Sequence, residues 1–393
     1  MTDTRTRETP LSEHYTLYGS YASYFTAKVR ASLRKKGVPF IERLPSAPRF
    51  REYVRPASGS HRIPQLETPD GTVIQDSVEI FDHIEAHFPA LPGVPSTPRQ
   101  RLAVHLLELF GSDGLVRLAW QYRWFFPGND YFVRMDFGRS FRPRGSDEEL
   151  MHYGGLIADR MLSRGELTIT DEVRAELQAE YVSLLKVLEA HFQHHPYLLG
   201  GHPSNADYAF MGALHAHMGR DPVPLNVMQN HAPRVFRWME HMLVPEVQSP
   251  EFFDTPVEYP ADDALPETLL PLLAWLSTRF AEPFRRNLLA WNVHVAARGN
   301  EAAGTEVLAD GDQQPQLPPV AVEIGEGQQQ TLGCNAHQVW VTQRVLDFYG
   351  APDTDQQACD SLLDEVGAGE LVRTEVVRSI DRRDNRLRLG PLP

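Results

Sequence analysis

Cysteine is nearly missing from this chain: Cys334 and Cys359 are the only two in 393 residues. Both lie far from the N-terminal half, which excludes a disulfide framework, a Cys-X-X-Cys redox pair and a cysteine-ligated zinc site there. No run approaches the roughly 18 to 20 apolar residues of a membrane helix, and the opening MTDTRTRETPLSEHY holds no apolar stretch of signal-peptide type. A cytoplasmic protein with no membrane partner is expected. Excess positive charge is lacking too. The formal net charge of -14 repels phosphate backbones and argues against nucleic-acid binding. Neither a glycine-rich phosphate loop nor a Gly-X-Ser-X-Gly elbow occurs. His194-His195 and the pair His215, His217 lack the i, i+4 spacing of a helical metal site, so no metal is expected.

What is present is an ordinary globular balance, 42% apolar and 23% charged, in a length that suits two or three packed units. Tyr15 to Tyr18 reads as a strand, Gly19 to Ser23 as a turn, and Tyr24 to Lys36 as a helix whose Phe25, Val29 and Leu33 recur every fourth residue. Val38 to Leu44 reads as a second strand and Pro45 to Ser60 as irregular. His61 to Glu67 and Thr72 to Gln75 flank Pro69-Asp70-Gly71 as a hairpin, and Asp76 or Ser77 caps a helix with Ile80, Phe81, Ile84 and Phe88 on its buried face. The order is βαβ followed by ββα, over residues 14–90.

The proline-rich segment 88–95 reads as a linker, and residues 96–298 as helical, with an insertion at 127–165 and two separate helical segments around 269–280 and 283–297. Ser204-Asn205-Ala206-Asp207 caps one of these helices. Residues 319–393 form an extension that opens with a strand at 320–324. Its arginines, from Arg373 to Arg388, are broken up by Glu375, Asp381 and Asp384 and read as a solvated mixed-charge tail.

Three features of the first unit bear on chemistry. A cis bond at Ile63-Pro64, at the start of a strand, would expose neighbouring backbone groups to an extended peptide; an edge-strand or turn proline is the plain alternative. Asp76-Ser77 at a helix N-terminus offers a hydroxyl and free N–H groups to a carboxylate, where the plain reading is a cap. Ser23 opens the first helix, as an N-cap or as a donor that could stabilise a thiolate. Farther along, the run Trp120, Tyr122, Trp124, Phe125, Phe126 is too dense for one helical face, so part of it is expected to line a cleft or meet a partner.

LYGSYASYFTAKVRASLRKKGVPF with IPQLETPDGTVIQDSVEIFDHIEAHFP resembles the N-terminal domain of cytosolic glutathione transferases, and YLLGGHPSNADYAFMGALHAHM resembles the capped core helix of their C-terminal domain. The resemblance spans about residues 14–245. It implies an α/β thioredoxin-like domain followed by an all-α domain, glutathione as co-substrate, a small apolar electrophile, and a homodimer. Carried over, Ile63 would bond the cysteinyl backbone of glutathione, Pro64 would be the cis proline, and Asp76 with Ser77 would hold the γ-glutamyl end. Ser23 falls where the serine-type branch keeps its activating side chain, with Tyr21 as a rival from the tyrosine-type branch. Trp120, Tyr122 and Trp124 would line the electrophile pocket between the domains. Conjugation, or glutathione-dependent cleavage, is the implied activity; a catalytically silent scaffold for protein–protein interaction is the alternative.

Overall fold

The computed structural model describes residues 13–163, 170–307, 316–324 and 328–392. The first unit runs β1 (Tyr15–Tyr18), α1 (Tyr24–Lys35), β2 (Phe40–Arg43), α2 (Arg55–Ser58), β3 (Gln65–Glu67), β4 (Val73–Gln75) and α3 (Ser77–His87). Its sheet has the order β2-β1-β3-β4; β1 and β2 are parallel and the other pairs antiparallel. A parallel pair needs a crossover, and α1 supplies it. The β3–β4 hairpin turns at Asp70-Gly71, where Gly71 takes the positive φ of 89° that the turn requires. Val29 and Leu33 of α1 are fully buried with Ile80, Phe81 and Ile84 of α3, as their spacing predicts. The segment expected to be irregular instead holds a π-helical turn, Phe50–Val54, running into α2. Phe50 and Val54 pack with Tyr18 into a small second core, so apolar closure on the sheet orders this stretch. The result is a thioredoxin-like domain.

The second unit contains α4 (Pro98–Leu109), α5 (Val116–Phe125), α6 (Asp130–Phe141), α7 (Asp147–Leu162), α8 (Asp171–His191), α9 (Asn205–Met211), α10 (Pro222–His231), α11 (Pro233–Met242) and α12 (Leu269–Arg298). At its centre Asp207 is fully buried and accepts hydrogen bonds from the Ser204 N–H and hydroxyl, both 2.9 Å, and from the Leu198 N–H at 2.9 Å. This closes the capping box on α9. Helices α6 and α7 form a tight antiparallel pair. A Cβ on Gly138 would fall 2.1 Å from the Leu150 carbonyl oxygen, and one on Gly154 would fall 1.9 Å from that of Arg134, so only glycine admits this approach.

The two helical segments expected around Pro283 are one helix of 30 residues. Proline removes a backbone donor and costs about 3 kcal/mol inside a helix. Here the stripe Leu272, Leu276, Phe280, Phe284, Leu288, Trp291 and Val295 continues unbroken past it into the core, and that packing outweighs the local penalty.

The C-terminal unit comprises β5 (Gln316–Ile324), β6 (Gln328–Asn335), α13 (Ala336–Gly350), α14 (Gln356–Val366), α15 (Gly369–Val372), β7 (Ile380–Arg383) and β8 (Arg386–Leu389). The solvated tail expected here is in fact a folded hairpin. Arg378 is 3% exposed and donates to the Gly390 and Glu301 carbonyls, while the Trp291 indole N–H donates to the Arg378 carbonyl at 2.7 Å. Alternating Ile380, Leu387 and Leu389 are buried, and this apolar face fixes the arginines between them. Arg344 of α13 forms a two-pronged ion pair with Asp82 of α3, at 2.7 and 2.9 Å, which ties the unit to the thioredoxin-like domain. Among the described residues no helix is long and apolar enough to cross a membrane.

Candidate functional site

A cavity of about 330 Å³ opens where the three units meet. Ile63, Pro64, Gln75, Asp76 and Ser77 line it from the first unit, Asp113 and Val116 from the second, and His337, Arg382 and Asn385 from the third. The Ile63-Pro64 bond is cis. Asp76 is the N-cap of α3, with φ 90°, and accepts from the Val78 N–H at 2.9 Å. Ser77, the first residue of that helix, is buried at the cavity wall. The four residues carried over from the resemblance as peptide-binding therefore share one cavity. A helix N-terminus beside a hydroxyl suits a carboxylate, and a carboxylate at the cap suits a cation.

The third unit contributes most of the remaining polar contacts. His337 Nε2 lies 2.8 Å from Asp76 Oδ2. Burial alone would raise the Asp76 pKa, but the His337 charge and hydrogen bond, Arg382 and the Val78 N–H hold it far below the usual carboxylate range. Burial alone would lower the His337 pKa, yet Asp76 and Asp113 raise it above the ordinary histidine value. The β7–β8 hairpin turns on Asp384 and Asn385, both with positive φ, as a two-residue loop between right-twisted strands requires. That tip places the Asn385 side-chain oxygen 3.0 Å from the Gln75 N–H, and Arg382 donates to the Gln75 carbonyl at 2.9 Å.

The two residues expected to activate a thiol are separated. Ser23 caps α1, accepting from the Thr26 N–H at 3.3 Å, and remains partly exposed two positions before Phe25, whose ring lines the cavity. Tyr21 is 44% exposed; its ring lies over the Arg30 guanidinium at 4.0 Å and its hydroxyl accepts from Arg34. Neither Ser23 nor Tyr21 lines this cavity or the wider cleft beside it.

A second, wider cleft of about 1800 Å³ adjoins the first through Phe25, Arg62 and Ile63, which line both. Its far wall is the α6–α7 pair, through Phe137, Phe141 and Tyr153. Trp120, Tyr122 and Trp124, expected to line the substrate pocket, line neither space. Tyr122 is buried and stacked 4.3 Å from Phe126, Trp120 packs edge-on to Phe125, and Trp124 backs Phe137 at 5.6 Å. The aromatic run is absorbed by packing between helices: Tyr122 meets Tyr181 of α8 and Trp124 meets Phe137 of α6. Sequence reasoning also missed Ser20, which lines the wider cleft, and His337, Arg382 and Asn385, whose partners lie some 260 to 310 positions upstream.

No curated protein matches the chain. Among solved structures it is similar to a glutathione S-transferase from Methylobacterium radiotolerans in complex with glutathione sulfonate, at 20% identity over 64% of this chain and 100% of that one, with a TM-score of 0.36. It is also similar to a glutathione S-transferase from Rhodospirillum rubrum, at 16% identity, 64% and 98% coverage and a TM-score of 0.39. A glutathione transferase family member from Pseudomonas fluorescens, solved with two glutathione bound, gives 17% identity, 64% and 96% coverage and a TM-score of 0.36. Residues 17–93 match the family model of the glutathione S-transferase N-terminal domain, and residues 171–241 match that of the C-terminal domain. Residues 17–93 and 171–241 thus carry the N- and C-terminal domains of glutathione S-transferases, in that order along the chain.

Proposed function

We propose that the protein binds glutathione in the smaller cavity and presents its thiol to a second ligand in the adjoining cleft, as a transferase. The observation that carries this reading is the convergence of Ile63, Pro64, Asp76 and Ser77 on one wall. Ile63 presents its backbone N–H and C=O without a partner among the described residues, which leaves them for the cysteinyl backbone of an extended tripeptide. The Ser77 hydroxyl and the α3 N-terminus take the γ-glutamyl carboxylate. Isothermal titration with reduced glutathione should show saturable binding, about 10-fold weaker in Ser77→Ala, the value of one charge-assisted hydrogen bond. No binding at millimolar glutathione would sink this reading.

Ser23 is the proposed thiolate stabiliser. Its oxygen accepts from a backbone N–H, and its proton remains available to a thiolate at the positive end of α1. Losing that bond should lower kcat/KM for conjugation of 1-chloro-2,4-dinitrobenzene by about 10- to 30-fold in Ser23→Ala. Tyr21→Phe should leave it unchanged, since that hydroxyl is turned to Arg34. Loss in Tyr21→Phe with none in Ser23→Ala would reverse the assignment.

One observation favours the silent-scaffold alternative. Asp76 and the Gln75 N–H already have partners from the third unit. Glutathione must share or displace them, and a chain unable to do so would keep the fold without the chemistry.

A further inference from the structure

The wider cleft is lined by charge opposite in sign to that of the whole chain. In a chain of net charge -14, six arginines line this one space: Arg51, Arg55, Arg62, Arg142, Arg144 and Arg160. One carboxylate, Glu149, shares the lining and accepts from the Ser146 N–H at 2.9 Å in the capping box of α7, so the arginines outnumber it six to one. Arg51, Arg55, Arg144 and Arg160 make no side-chain hydrogen bond or ion pair with any described residue. Arg142 is positioned by Tyr153, whose hydroxyl accepts at 2.7 Å and whose ring lies 4.5 Å under the guanidinium. Like charges gathered around one concavity repel one another, and their field is focused into it, so an anion bound there recovers that energy.

The same walls offer ring surface. Phe25 and Phe50 face the cleft from the first unit, Phe137 and Phe141 from α6. The arginines come from two distant stretches, 51–62 and 142–160, and meet only because the α6–α7 pair leans over the first unit. Gly138 and Gly154 let the two helices of this wall pack at backbone contact, so it is built as one closely packed pair.

We infer that this cleft binds an aromatic anion: a ring system for the phenylalanines bearing carboxylate, sulfonate or phosphate groups for the arginines. On the reading above, which this step presupposes only for the ligand's role, such a compound is the electrophile that meets the glutathione thiol across Phe25, in place of the apolar one expected from the family. Binding itself needs no glutathione.

The test is a fluorescence titration of the full chain, without glutathione, using naphthalene-1,5-disulfonate and the neutral 1,5-dihydroxynaphthalene at 20 and 200 mM NaCl. The disulfonate should bind saturably and at least 10-fold more tightly than the diol, and weaken about fivefold at the higher salt. The double variant Arg51→Glu/Arg144→Glu, with both positions exposed and outside the core, should lose about 30-fold. Lys186→Glu, an exposed reversal on α8, should stay within twofold of the parent. Equal affinity for diol and disulfonate, an unmoved double variant, or an equal loss in Lys186→Glu would each overturn the proposal. Because glutathione is absent, none of these outcomes depends on whether the smaller cavity holds that peptide.

Discussion

Replacing Asp221 by alanine should lower the thermal midpoint of the helical domain by about 10 °C, read by scanning calorimetry. Asp221 and Arg123 are 0% and 1% exposed and meet through two parallel bonds of 2.8 Å. Arg123 also donates to the Ala22 and Ala216 carbonyls, both at 2.6 Å. One guanidinium thus joins α5, the start of α10, the turn after α9 and the backbone next to Ser23. Breaking such a pair leaves a buried cation uncompensated and costs about 3 to 5 kcal/mol. In the double variant Arg123→Met/Asp221→Leu no charge is stranded, so part of the loss should return. That recovery should be small, since removing Arg123 takes from the Ala22 and Ala216 carbonyls the donor they keep in the single variant, at about 1 to 3 kcal/mol each. A change below about 2 °C in Asp221→Ala would show that the pair contributes little.

The first unit was legible because its signals are local. Ser23 before an i, i+4 stripe, Asp70-Gly71 between short strands, and Asp76 three residues before Glu79 each announce an element within five residues of themselves. The capped helix at Ser204–Asp207 is of the same kind. Pro283 misled for the converse reason: its local cost is real, but the core that overrides it is assembled from distant helices. The aromatic run misled in the same way, since a count of rings cannot say that α6 and α8 will pack against them. His337 carries no local mark at all. It becomes a site residue only when α13 settles beside α3, held by Arg344 and Asp82. One signal was available and unused: Asp384-Asn385 between alternating apolar residues is a hairpin turn, and reading it would have replaced a solvated tail with two strands.

Replacing His337 should strengthen binding of S-methylglutathione by about 100-fold at pH 7, an analogue chosen because it has no thiol to titrate. In the parent chain Asp76 is satisfied by His337 at 2.8 Å, so a ligand ammonium gains little there. In His337→Ala the largely buried carboxylate loses its hydrogen-bonded cation and keeps only the charge of Arg382 nearby, so an incoming ammonium restores the pair, recovering about 2 to 3 kcal/mol of what its loss costs.

The parent chain provides an independent readout through pH. The His337 pKa is raised by Asp76 and Asp113 against the effect of burial and of Arg382, so its contact with Asp76 stabilises the fold in full below the ordinary histidine value and fades as pH rises through the raised one. The Asp76 pKa is depressed, so its share is present above the ordinary carboxylate value and is lost only in acid. Between those limits the third unit holds the site against a cationic ligand. Affinity for S-methylglutathione should therefore climb as pH rises from 6.5 toward 8.5 in the parent and stay level in His337→Ala. Flat profiles in both, with equal affinities, would mean that the ligand never contends for Asp76 and that the α3 N-terminus alone selects it.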